Sequence, residues 1–345
     1  MIWLTWRQFR VPALAVAGAV AVLAVFCAVT GPGLASDYRT TTTGFLDLVA
    51  EQRLNRTLYL VGQFVVYAAP PVIGAFWGAP LIARELEAGT HRLVWSQSIS
   101  RSRWLTVKVG LTGAAAISVS GLLSLIVTWW AGPIDDSVAA GNSSNVFELA
   151  RMQPPLFGAR GVVPIGYAAF AFAVGVTLGL VIRRSIVAIA LTLAVVVAFQ
   201  ALAPSLIRPH LMSPVVETKT LTKDTIRGLM LSGPEKDPEV LRVEVLAGAP
   251  GLWKVSDETV KDGVVQKTLP SYLQDCGPRP PEARERKLSP DQCFQRFEAE
   301  GYRQQVKYYP ADRFWGLQWR ETGLFLLLAF GLTGFCFWRI RRDLT

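Results

Sequence analysis

Six long apolar runs constrain this chain more than any other feature. They cover Val11–Thr30, Leu58–Ala83, Leu105–Gly132, Val162–Ile182, Ser185–Ile207 and Leu317–Trp338. A helix rises ~1.5 Å per residue, so ~20 apolar residues cross the ~30 Å hydrocarbon layer of a bilayer. Only helices and closed barrels satisfy their backbone groups inside lipid. The runs therefore predict an all-α polytopic membrane protein with six transmembrane helices. The charged fraction agrees, at 18% against the ~25% of soluble proteins. The first run follows Arg7 and Arg10, as in a signal peptide. It is longer than a signal core of ~7–15 residues, and we read it as a span.

Orientation follows from Lys and Arg in the short loops. With the N-terminus inside, the inner segments hold 12 basic residues and three acids. The two short outer loops hold five and six, and residues 208–321 hold 18 and 17. The balances are +9, −1 and +1, so the whole formal charge of +9 sits on the inner side. This is a membrane-orientation signal rather than a nucleic-acid footprint. It predicts a plasma-membrane protein with both termini in the cytoplasm. Trp3, Trp6, Trp104, Trp129, Trp130, Trp315, Trp319 and Trp338 stand at span ends, where an amphipathic ring is half wet.

Within the spans, Pro70, Pro71 and Pro80 with Gly62, Gly74 and Gly78 predict a kinked or broken second helix. Gly110, Gly113, Gly121 and the small residues around them predict close backbone approach by the third. Arg183 and Arg184 alone join the fourth and fifth, which implies a tight hairpin. No Asp, Glu or Arg is expected mid-span. Lys108 can snorkel, and Gln63 and Gln200 are the interior polar candidates. Ion-coupled transport usually needs an intramembrane carboxylate, so any driving force should come from elsewhere.

The chain divides into 1–207, 208–316 and 317–345. The middle segment, polar and charge-balanced, has the size of a small domain. Ser289-Pro290-Asp291 reads as a helix start, with Gly301 as its stop. Val240–Leu246, Gly263–Leu269 and Tyr302–Tyr309 read as strands, giving a small α+β extracytoplasmic domain. Cys276 and Cys293 are the only cysteines in it, and an even pair outside the cytoplasm favours a disulfide. Cys27 and Cys336 lie in apolar runs and read as buried hydrophobes. Asn55-Arg56-Thr57 and Asn142-Ser143-Ser144 match glycosylation sequons.

The segment between the second and third spans carries Arg84, Glu85, Glu87, Gly89, Thr90, Ser96, Gln97 and Arg101. It reads as a compact amphipathic hairpin. Its first helix ends at Gly89, and Ser98 or Ser100 caps the next. Arg84-Glu85-x-Glu87-x-Gly89-Thr90, followed by Trp95–Arg101 and Trp104, resembles the permease subunit of type 2 ABC exporters, in the form common in actinobacteria. Tyr309-Pro310-Ala311-x-Arg313-Phe314-Trp315, Gln318-Trp319, Glu321-Thr322 and the basic end from Trp338 to Arg342 extend the resemblance to nearly the whole chain. It implies that the 84–104 segment couples to an ABC ATPase subunit. It also implies assembly as a homodimer or with a paralogous permease. ATP would be bound by the partner, because this chain has no G-x-x-x-x-G-K-[ST] loop. No catalytic, cofactor or metal motif is present, so it does not read as an enzyme. The segment 208–316 departs from the short outer loop of simpler members. The alternative is a membrane-anchored sensor or immunity protein that binds a ligand or partner through this domain without transport. A membrane-embedded enzyme is a third reading. The apolar interior suits an amphipathic cargo.

Overall fold

The computed structural model describes residues 2–41, 43–89, 100–221, 226–232, 239–245, 248, 250–266, 269–270, 272–273 and 289–342. It contains two compact units, Met1–Met212 with Asp312–Thr345, and Ser213–Ala311. In chain order the helices are α1 (Ile2–Thr40), α2 (Phe45–Glu51), α3 (Arg53–Glu87), α4 (Arg101–Ala139), α5 (Val163–Ile182), α6 (Ser185–Leu211), α7 (Pro290–Ala299) and α8 (Phe314–Arg342). Among the described residues α1, α3, α4, α5, α6 and α8 are long and apolar enough to cross a membrane. The helices outrun the apolar runs. Asp135 and Asp136, beyond the third run, lie inside α4.

The first unit is built around α5, whose side chains are buried along most of its length. Its tightest contact is with α3. Gly74 and Gly78 face Gly175 and Gly179, one small residue per turn on each helix. A Cβ on Gly175 would lie 2.2 Å from the Gly74 carbonyl oxygen, and one on Gly179 would lie 2.3 Å from that of Ala79. The two backbones therefore touch, and only glycine allows it. At this seam α3 takes a five-residue π turn, Gly74–Gly78, with the Ala79 N–H donating to the Gly74 carbonyl. The cause is Pro80. It has no N–H for the Phe76 carbonyl, and its ring would press on that carbonyl in a regular α-turn. The expected break is thus a π turn in a continuous helix. The glycines of α4 meet side chains rather than backbone: a Cβ on Gly113 would lie 3.1 Å from the Phe172 ring and one on Gly121 3.5 Å from Ile165, while nothing lies within 4 Å of one on Gly110.

Two apolar clusters close the ends of the bundle. Phe9, Trp104, Leu105, Leu180 and Ile340 gather at the end carrying the basic residues. Leu34, Phe45, Tyr59, Trp130, Ile134 and Phe147 gather at the other. α1 lies at the periphery, and its Thr30 hydroxyl accepts from the Trp130 indole N–H at 2.8 Å. Cys27 and Cys336 are free and buried, as expected. Asn55 is buried in α3 and donates to Gln52, an arrangement unsuited to a glycosylation acceptor.

The second unit pairs strands β1 (Val215–Lys219), β4 (Trp253–Lys261), β5 (Val264–Val265) and β6 (Tyr302–Tyr309) in the antiparallel order β1-β6-β4-β5. β2 (Ile226–Ser232) and β3 (Glu239–Val245) form a separate pair. Asp262 and Gly263, at φ 51° and 77°, make the turn that fits a β4–β5 hairpin. α7 begins with a full capping box, Ser289 with Gln292, and ends before Gly301 at φ 83°. The expected helix and the strand Tyr302–Tyr309 are present. Among the described residues the strand expected over Gly263–Leu269 is Val264–Val265 and that expected over Val240–Leu246 is β3, while β1, β2 and β4 are additional. Cys293 is buried with Phe294, Phe297 and Val306, and Cys276 lies outside the described residues. In the polar interior, Asp257 accepts from the Val245 N–H, Lys254 and Gln304.

The seam predicts a sharp contrast between glycines. Gly175→Ala should destabilise the detergent-solubilised protein by about 1–3 kcal/mol, the cost of overpacking a tight interior. Gly331→Ala, with nothing within 4 Å, should leave the thermal midpoint unchanged.

Candidate functional site

The end of α3 reaches two other helices through its carboxylates. Glu85 pairs with Lys108 of α4, whose side chain is buried and whose ammonium lies 5.3 Å from the Trp104 ring centre. Glu87 crosses to α6, accepting from the Ser185 N–H at 3.1 Å and from its hydroxyl at 2.8 Å. A carboxylate there meets the unpaired N–H groups and the positive end of the helix dipole. α3 then stops, with Gly89 at φ 69° and its N–H on the Leu86 carbonyl. Ser100 caps α4 by accepting from the Arg103 N–H. The α5–α6 hairpin turns at Arg183, at φ 58°. Arg84 is exposed beside a cleft of about 350 Å³, and Arg101 opens α4. Of the motif residues singled out in the sequence, Glu85 and Glu87 are thus anchored on separate helices. Thr90, Ser96 and Gln97 lie outside the described residues.

The other end of the bundle holds charge that sequence reasoning counted with the outer segments. Glu321 of α8 is wholly buried, and its two oxygens are divided between partners. One accepts from the Tyr167 hydroxyl, and the other from Arg208 Nε at 2.8 Å. Arg208 also stacks on Phe157, 4.0 Å from the ring centre. A second π turn, Ala203–Ile207, sets its direction. Along α6 the buried positions run 188, 192, 196, 200 and 203, then step five to 208. Pro204 lacks the N–H that the Gln200 carbonyl would accept, so the helix inserts one residue and keeps Arg208 facing inward. Nearby, Arg160 Nε donates to Asp135 at 2.8 Å, both side chains buried.

These groups surround a non-helical entry to α5. The Gln318 amide oxygen accepts from the Val162 and Val163 N–H groups at 2.9 Å each, and its nitrogen donates to the Phe157 carbonyl. From α4, Ser120 donates to the Pro164 carbonyl and Ser124 to that of Gly161, while Thr128 accepts from the Gly161 N–H. A side-chain cap from another helix thus does what Val162 cannot. Gly161 sits at φ 66°, and a Cβ there would meet the Gln318 oxygen at 2.8 Å.

A family model described as ABC-2 membrane transporter related matches residues 17–208, more than half of the 345-residue chain. The chain belongs to that family. No curated protein and no solved structure matches. As an ABC-2 transporter permease it is a multi-pass membrane protein, and the matched stretch includes the α3–α5 seam and the motif at the end of α3.

Two carboxylates counted with the outer segments are buried in this permease, each near a helix end rather than mid-span. Glu321 lies about seven residues into α8, or ~10 Å along its axis, and Asp135 is enclosed by Arg160. Gln200 is buried as expected, donating to the Tyr67 carbonyl, and Gln318 was missed. The signal was available, since Gln318, Glu321 and Thr322 fall at i, i+3 and i+4, which puts them on one face of the helix.

Removing one member of a buried ion pair leaves an uncompensated charge. Glu321→Ala should therefore cost about 3–5 kcal/mol in thermal unfolding, and Arg208→Leu with Glu321→Leu should recover most of it.

Proposed function

We propose that this permease is the membrane-spanning subunit of an ATP-driven exporter, with a separate ABC ATPase docking on the 84–104 segment from the cytoplasm. The observation that carries the reading is the anchoring of Glu85 on α4 and Glu87 on α6. A push on the end of α3 is passed to two neighbouring helices at once. Through the Gly74–Gly175 contact it also reaches α5, whose far end is held by Gln318 and Ser124. The chain supplies no ATP-binding loop, so hydrolysis belongs to the partner. The excess of basic residues puts the motif end and both termini in the cytoplasm. Two permeases, identical or paralogous, enclose the pathway between them. Residues 208–316 form the extracytoplasmic domain, in which Cys276 bonds to Cys293.

Affinity purification of the full chain in mild detergent should bring down a polypeptide carrying a G-x-x-x-x-G-K-[ST] loop. Glu87→Ala should insert normally yet recover about tenfold less of that ATPase, a loss of ~1.4 kcal/mol in docking, because the contact that holds the end of α3 on Ser185 is gone. Equal recovery would contradict the docking role. Absence of any ATPase would contradict the exporter reading and favour an anchored ligand-binding protein.

A further inference from the structure

We propose that the cleft at the basic end of the bundle binds one anionic membrane phospholipid, with an acyl chain against α1 and α3 and the phosphate at Arg84. This does not depend on the exporter reading. The cleft, about 350 Å³, is lined by the apolar Phe9, Pro12, Phe76, Pro80 and Leu81 and by the polar Arg84, Glu85 and buried Lys108. Its volume lies within the ~300–1,000 Å³ typical of small-molecule sites.

Three observations point to a lipid. The first is shape. Leu60, Phe64, Val72 and Phe76 are exposed large apolar residues on α3, spaced in multiples of four, and past the π turn the buried Pro80 and exposed Arg84 line the same cleft as Phe76. From Val72 to Arg84 is ~18 Å of helix, close to the ~15 Å depth of one hydrocarbon leaflet. An apolar strip of one-leaflet length ending in a guanidinium has the outline of a phospholipid.

The second is charge. Glu85 is engaged by Lys108, so these two cancel. Among the described residues no carboxylate lies within ion-pair distance of Arg84, which leaves one positive charge at the mouth. The planar guanidinium fork matches phosphate oxygens in a bidentate geometry. The third concerns the competing occupant, a second copy of the chain. Apart from Asp37 near its far end, α1 carries no acid, and the acids of α3 are Glu85 and Glu87, at the same end as Arg84. Along their apolar length α1 and α3 therefore offer Arg84 no carboxylate, and at its own end Glu85 and Glu87 are already held by Lys108 and Ser185, whereas an anionic headgroup is free to meet it.

The test is native mass spectrometry of the full chain in detergent, with equal amounts of phosphatidylglycerol and phosphatidylcholine added. Phosphatidylglycerol adducts should exceed phosphatidylcholine adducts by about tenfold, the scale of one charge-assisted hydrogen-bonded contact. Arg84→Gln should remove that preference, and Arg84→Lys should keep part of it. Leu81→Trp, which fills the apolar part of the cleft, should lower all lipid retention, and Arg341→Gln at the same end should change nothing. Equal binding of the two lipids would overturn the proposal, as would full retention by Arg84→Gln. Displacement of the lipid by millimolar inorganic phosphate would overturn the acyl-chain half, reducing the site to a free-anion site. Loss of a dimer by Arg84→Gln with lipid retention unchanged would assign the cleft to a second copy instead.

Discussion

The contact between the Gly74 carbonyl of α3 and Gly175 of α5 sets the spacing of everything around it. In lipid there is no hydrophobic drive between helices, so association relies on close packing and on polar contacts. Backbone touching backbone is the closest packing available. It works here because Gly175 and Gly179 present a flat strip to the π turn that Pro80 imposes on α3. With α3 fixed against α5, its last turns bring Glu85 to Lys108 and Glu87 to Ser185.

The second organising element is the buried face of α4. Buried Lys108, Thr112, Ser120, Ser124 and Asp135, with half-buried Thr128, follow one another along it in near-multiples of four. Each has a partner. Lys108 meets Glu85, Thr112 returns to the Lys108 carbonyl, Ser120, Ser124 and Thr128 serve the entry to α5, and Asp135 meets Arg160. An isolated charge or orphaned amide in hydrocarbon costs several kcal/mol, so such a spine persists only when every member is satisfied. The 3₁₀ turn Leu156–Ala159 and the irregular backbone through Val162 are tolerated on the same terms, with α4 and α8 supplying hydrogen bonds to them.

Much of this architecture can be read from the chain. The six apolar runs are long enough to be unambiguous, and Pro80 and Gly89 act locally, so the break in α3 and its stop follow from neighbouring residues. The tight turn at Arg183 and the capped helix at Ser289 are equally local. What escaped reading depends on partners far away in sequence. Glu321, near the start of the last apolar run, looks like a charge facing water until Arg208 and Tyr167, more than a hundred residues earlier, are brought to it. Asp135 looks exposed until Arg160 folds over it. The glycines of α4 and those of α3 carry similar local signals, and only the packing of α5 shows which of them meet a backbone. In the second unit β1 and β4 alternate weakly and owe their pairing to β6, so their sequences alone give little sign of it.

The loop motif, the seam and the basic-end cleft have the meanings given to them only if the basic end faces the cytoplasm. Cysteine labelling tests this most directly. In a chain whose native cysteines are replaced by serine, Arg342→Cys should resist a membrane-impermeant maleimide on intact cells and react once the membrane is permeabilised. Reaction on intact cells would place the motif end outside, where no ATPase could reach it.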